Sequence, residues 1–136
     1  MKLLPHSSAT LLIRTDFADQ SSWDALHLAV STPNKNDFLA NVEFFEDGEF
    51  NGLVKDQILA RVPAHHNHRL LIIADKDTLS SAELPLLVID LVEEGPNEIR
   101  VIATELWGIE NNLSLANMDF YEFAHAVDED GVFRGF

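Results

Sequence analysis

A chain of 136 residues, 46% hydrophobic and 24% charged with 6 Gly and 5 Pro, fits one globular domain and excludes the disordered and low-complexity classes. Its 23 acidic and 9 basic side chains leave a net charge of -14, a field that repels phosphate backbones and anionic lipid. Nucleic-acid and membrane partners are therefore set aside, and the absence of cysteine removes disulfides, thiolate metal sites and a Cys nucleophile.

Met1–Ser8 carries one base and an apolar run broken at Pro5, which is not the pattern of a signal peptide, and no later apolar run approaches membrane-spanning length. The expectation is a cytoplasmic protein. Leu11–Thr15 reads as a first strand, with Asp16 at its C-terminal edge. Ser21 and Asp24 give an N-cap signal for a first helix, whose face carries Trp23, Leu26 and Val30 and which Pro33 stops. From Phe38 to Phe45, apolar residues recur with a period of two, predicting a second strand before the Asp47-Gly48 turn. Val54, Ile58 and Val62 share a face of a second helix between Gly52 and Pro63.

Leu70–Ala74 is apolar throughout, as expected of a central strand covered on both faces. Ser80 and Glu83 predict a single helical turn ahead of a strand at Leu86–Ile89. A fifth strand at Ile99–Thr104 follows the short connection Glu93–Asn97, which is too short for a helical crossover, so these two strands should pair antiparallel. Asp119 and Glu122 cap a third helix with Phe120, Phe123 and Val127 on its buried stripe. The order β-α-β-α-β-β-β-α predicts a single α/β domain over residues 1–136, a mixed five-stranded sheet with helices packed on it. The apolar end, Val132, Phe133 and Phe136, should be docked rather than frayed.

The segment from Glu105 to Phe123 is the least ordinary. Read as a connection, it carries Trp107, Asn111, Asn112 and Asn117 among large apolar residues. It either folds back to complete the core, the asparagines serving backbone groups, or presents a recognition surface. The octapeptide Leu39–Glu46 matches Leu115–Glu122 closely, although the first is read as strand and the second as a loop entering a helix. Leu106-Trp107, the run Glu110–Phe120, Phe123-Ala124 and Asp130–Phe136, together with Ile13–Phe17, Trp23–Leu26 and Asn41–Phe44, resemble a family of small acidic bacterial proteins defined only as a domain of unknown function. The resemblance implies a stand-alone single domain and carries no activity.

For chemistry, Asp16 follows the first strand while Asp75 and Asp77 follow the third, the edge at which open α/β sheets place ligand sites. Three carboxylates there would suit Mg²⁺, giving a phosphoryl enzyme as one alternative, with Arg14 as an anion contact. Ile73–Leu79 is similar to the first motif of haloacid-dehalogenase-type phosphatases. It lacks the residue between the second Asp and the Thr, and only 59 residues follow Asp77, so the likeness is not carried to an activity. The other reading of Asp75 and Asp77 is a capped turn. His65-His66-Asn67-His68 invites a zinc reading, but adjacent histidines seldom face one ion and no Cys completes the set, so a solvated loop and no bound cofactor are expected.

The sequence thus favours a non-enzymatic protein-binding domain, of the inhibitor or immunity type, that neutralises a basic partner. Its candidate contacts are Trp107, Asn111, Asn112, Asn117 and Arg14. The Mg²⁺-dependent enzyme using Asp16, Asp75 and Asp77, and a structural subunit of a homodimer or larger homo-oligomer, are the alternatives.

Overall fold

The computed structural model describes residues 1–92 and 97–136. Among these residues six strands form one sheet: β1 Thr10–Arg14, β2 Val42–Phe45, β3 Leu70–Ala74, β4 Pro85–Asp90, β5 Glu98–Ile102 and β6 Val132–Phe133. The α-helices described with them are α1 Gln20–Ser31, α2 Lys55–Leu59, α3 Lys76–Leu79, α4 Leu106–Ser114 and α5 Phe120–Ala124. The spatial order is β2-β1-β3-β4-β5-β6. β1 lies parallel to both β2 and β3, β4 runs antiparallel to β3 and β5, and β6 is parallel to β5.

Alternation along the central strands divides their apolar runs between two cores. Leu12, Leu70, Ile72, Ala74, Leu86 and Val88 face α1, α4 and α5, where Trp23, Leu26, Ile109, Leu113, Phe120 and Phe123 cover them. On the opposite face Leu11, Ile13, Leu71, Ile73, Leu87 and Ile89 are covered by Leu4, Phe50 and Ile58. All five residues of β3 are buried, which is why that strand shows no polar alternation.

The mixed α/β architecture, the interior position of Leu70–Ala74 and the antiparallel β4–β5 pair agree with the sequence, but several local expectations do not. β2 begins at Val42, not Phe38, because the Asn41 N–H is drawn 2.7 Å to the Glu110 carboxylate and the chain before it has no strand neighbour. α1 is capped by Asp19, whose carboxylate takes the Ser22 N–H, two residues ahead of the Ser21 signal. α2 ends at Leu59 and does not extend to Val62. The helical turn before β4 is α3, capped by Asp75, rather than a turn on Ser80 and Glu83. β5 stops at Ile102, where a 3-10 turn, Ala103–Glu105, leads into α4. The expected connection from Glu105 is thus largely a helix. Of the Glu93–Asn97 connection, residues 93–96 lie outside the described part.

A sixth strand was not anticipated. Val132 and Phe133 pair with Arg100 and Val101, and Phe133 is 1% exposed against Phe123 at 5.2 Å between ring centroids. The two related octapeptides do take different forms, β2 in the first and the start of α5 in the second, where the Asp119 N–H reaches Glu122 at 2.8 Å.

Candidate functional site

β1 is followed by a chain that crosses one face of the sheet to β2 on its left, and the chain leaving β2 crosses the other face to β3 on its right. The carboxyl ends of β1 and β3 therefore flank the point at which strand order reverses, the position where open α/β sheets leave a crevice. A cleft of about 450 Å³ lies there.

Its floor is one lateral row of the sheet. Ile73 pairs with Leu87 and Leu87 with Arg100, so all three side chains fall side by side on the face that carries the smaller core. The wall is the segment from Asn51 to Lys55, which enters α2. Its course is fixed by Gly52, at φ +78°, whose N–H donates to Thr15 O at 2.7 Å. A left-handed backbone at that position favours glycine. The rim holds Thr15 and Asp16 from the end of β1 and Asp75, Lys76 and Asp77 from the end of β3. The three aspartates picked out in the sequence thus share one cleft, together with Lys55, Lys76 and Arg100.

The charges are not equally available. Arg100 extends from β5 to Asp75, placing two guanidinium nitrogens on the two carboxylate oxygens at 2.8 and 2.7 Å, and also reaches the Pro85 carbonyl at 3.2 Å. Burial pushes the Asp75 carboxyl up, but the Arg100 fork and the Thr78 amide and hydroxyl outweigh it and hold the group below the ordinary carboxylate range. The same hydrogen bonds raise Arg100. Asp75 also accepts the Thr78 N–H at 3.1 Å as the cap of α3, so its oxygens are occupied by donors rather than offered to a cation. Lys55 pairs with Glu98. Among the described residues, Asp16 and Lys76 have no ion-pair partner, and the nearest donor to Asp16 is the Ala18 N–H at 3.3 Å. Asp77 stands 3.7 Å from Arg100 and is largely exposed. No group of three or more His, Cys, Asp or Glu among the described residues is arranged to hold a metal ion.

Arg14 does not reach the cleft. It is 1% exposed, its guanidinium lying 4.4 Å from the Phe17 ring and 5.1 Å from that of Trp23, a cation–π sandwich. It donates to Asp16 O at 2.9 Å, to Gln20 at 3.0 Å and to Glu46. Its role is to join the ends of β1 and β2 to the start of α1.

The candidate contacts in the Glu105–Phe123 stretch make bonds and contacts within the fold. Trp107 stacks on Phe38, with centroids 5.2 Å apart and planes at 9°. Asn111 donates to Leu39 O at 3.0 Å, Asn112 to Gly108 O at 2.8 Å, and the Asn117 backbone N–H to Asn112 O at 2.8 Å. Between them stands Glu110, 3% exposed, whose carboxylate accepts from Thr10, Asn41, Asn111 and Ser114 at 2.7–3.2 Å. Sequence reasoning missed both Glu110 and Arg100. The isolation of Arg100 as the one base from Glu83 to Asp130 was the available signal.

The histidines diverge. His68 contacts Ser7 O at 2.6 Å, His66 Nε2 is buried without a hydrogen-bond partner among the described residues, and His65 is exposed. Burial, then the nearby His68 and His6, pushes His66 below its ordinary range.

Sheet order, crossover sides and a cleft at the reversal point define an open α/β domain of the kind that seats ligands at its strand ends. The chain belongs to the family described as Domain of unknown function (DUF6924), whose model matches residues 9–136. No curated protein and no solved structure matches it.

Proposed function

We propose that this chain is a binding domain for a small polar ligand, seated in the cleft between the carboxyl ends of β1 and β3. The observation that carries the reading is the convergence of Asp16, Asp75, Asp77, Lys55, Lys76 and Arg100 on one 450 Å³ space at the strand-order reversal. That volume lies within the roughly 300–1,000 Å³ of small-molecule sites, and the lining sets apolar Leu53, Val54, Ile73 and Leu87 beside the charged groups. Catalysis is not part of the proposal.

The test is thermal denaturation against a panel of amino acids, organic phosphates and dicarboxylates, using the full chain and a Val54→Trp variant. Val54 lines the cleft and is 63% exposed, so an indole there obstructs the space without entering the core. A ligand at 100 times its Kd stabilises by about 2.7 kcal/mol, a readily measured shift. At least one panel member should raise Tm in the parent and not in Val54→Trp. If no compound does so, the reading is wrong.

The net charge of -14 favours a second reading, an inhibitor or immunity-type domain that neutralises a basic protein. Three of the acids, Glu83, Asp128 and Asp130, share the one cation Arg134 at 2.7–2.8 Å, so that cluster keeps a net negative charge. Salt-sensitive association with a basic protein that is unaffected by Val54→Trp would favour this second reading.

A further inference from the structure

We infer that the free edge of β2 receives an extended, basic segment of another protein as an added strand, apolar on one face and cationic on the face of Glu43. The inference is independent of the cleft. It rests on the second reading above, the basic partner, and gives that partner a surface and a form.

β2 is the open end of the sheet. Among the described residues its strand neighbour is β1 alone, and it is the one described strand with no buried residue. The Thr10 N–H donates to Asn41 O at 3.2 Å, which sets the parity of this parallel ladder: residues 41, 43 and 45 turn their peptide groups toward β1. The N–H and C=O groups of Val42 and Phe44 therefore point away from β1, and no described residue bonds to them. The opposite edge, β6, is blunted by being two residues long. β2 has four residues in unbroken register with β1 and carries no Pro or Lys, so it keeps an edge that a further strand can join.

Charge selects the occupant. From Glu43 to Glu49 the edge and the turn after it carry four acids and no base. Arg14 pairs with Glu46 and Lys2 with Asp47, but Glu43 and Glu49 are exposed and have no ion-pair partner among the described residues. A second copy would set this run, and a net charge of -14, against the same charges. A basic strand meets an opposite field instead.

Register sets the pattern of that strand. Val42 and Phe44 lie on the face of the larger core, where the Phe44 ring stacks on His27 at 3.7 Å, whereas Glu43 and Phe45 lie on the other face. Side chains of an added strand stand about 4.5–5.5 Å from those of β2 on the same face. One of its faces therefore meets Val42 and Phe44 and calls for apolar groups, while the other meets Glu43 and calls for a cation. Alternating apolar and basic residues satisfy both.

The probe is an end-blocked hexapeptide of alternating lysine and valine, titrated into the isotopically labelled full chain at low and high salt. Controls are the glutamate–valine peptide and the lysine–valine peptide N-methylated at every amide. The lysine–valine peptide should bind saturably and more weakly at high salt, with amide shifts centred on residues 41–46. Hydrogen exchange should slow at the Val42 and Phe44 amides and not at those of Glu43 and Phe45, which already face β1. Both control peptides should bind at least about tenfold more weakly, one lacking the donors of a ladder and the other the charge. Val42→Pro removes an outward N–H and no bond to β1, and Glu43→Lys reverses an exposed charge; each should weaken binding about threefold or more, with melting to check that both variants fold. Binding indifferent to N-methylation and to both substitutions, or shifts centred away from β2, overturns the inference and leaves a basic partner to be seated elsewhere. A dimer in solution that Val42→Pro dissociates overturns it as well, the occupant then being a second copy. No saturable binding of the peptide also overturns it, and the second reading falls with it only if basic proteins fail to give the salt-sensitive association described above.

Discussion

Arg100 places two nitrogens on the two carboxylate oxygens of Asp75, joining β5 to the end of β3 across the intervening strand β4. The pair also fixes Pro85 O and the Thr78 hydroxyl, so the floor and rim of the cleft are held by one interaction. Both side chains are about three-quarters buried, at 24% and 27% exposure. Arg100→Met should therefore lower stability by about 1–3 kcal/mol in urea denaturation, the cost of leaving a partly buried carboxylate with too few donors.

The same pair sets a dependence on acid. The Asp75 carboxyl is depressed in the folded chain, so its stabilising contribution is complete above the unfolded value of about 3.9 and is lost as pH falls through the lower folded value. The stability gap between the parent and Asp75→Asn should be constant from pH 5 to 7 and narrow below about pH 4. A gap that widens toward low pH would contradict the sign of the shift.

Glu110 offers a test that separates charge from hydrogen bonding. A glutamine there can keep its carbonyl on the Asn41 N–H and turn its amide toward the hydroxyls of Thr10 and Ser114, both able to accept. Glu110→Gln should cost under about 1 kcal/mol. Glu110→Ala leaves buried donors unsatisfied and should cost about 2–4 kcal/mol by denaturant titration.

These two residues mark the boundary of what the sequence discloses. β3 and β4 are legible because each face of the sheet has its own core, which makes β3 apolar throughout and β4 apolar as far as Ile89. The meeting of Asp16, Asp75 and Asp77 is legible because strand ends in parallel register converge. α4 is not legible: Gly108, Asn111 and Asn112 are residues that favour turns, and the helix is secured by long-range partners such as Leu39 O and Thr10. The matching octapeptides make the same point, since one joins β1 as an edge strand while the other begins a helix at Asp119. Context, not local pattern, decides both. β6 escapes because two residues carry no period; its pairing with β5 is a tertiary event.

The C-terminal strand should be worth more than its length suggests. Phe133 is buried among Phe123 and Phe136, and burying one Phe contributes about 1.5–3 kcal/mol. Deleting residues 132–136 should lower stability by at least about 2 kcal/mol, measured by chemical denaturation, through loss of that burial and of the β5 pairing. A truncated chain as stable as the parent would show that α5 closes the core without it.

The central claim is that the functional site is the cleft between β1 and β3, not the surface around Trp107. Backbone amide shifts of the isotopically labelled chain, recorded while the best compound of the melting panel is added, address this directly. The account predicts that the largest changes cluster at Thr15, Asp16, Gly52, Asp75, Lys76 and Arg100. Saturable changes centred on Phe38, Trp107 and Leu115, with the strand ends unmoved, would contradict it.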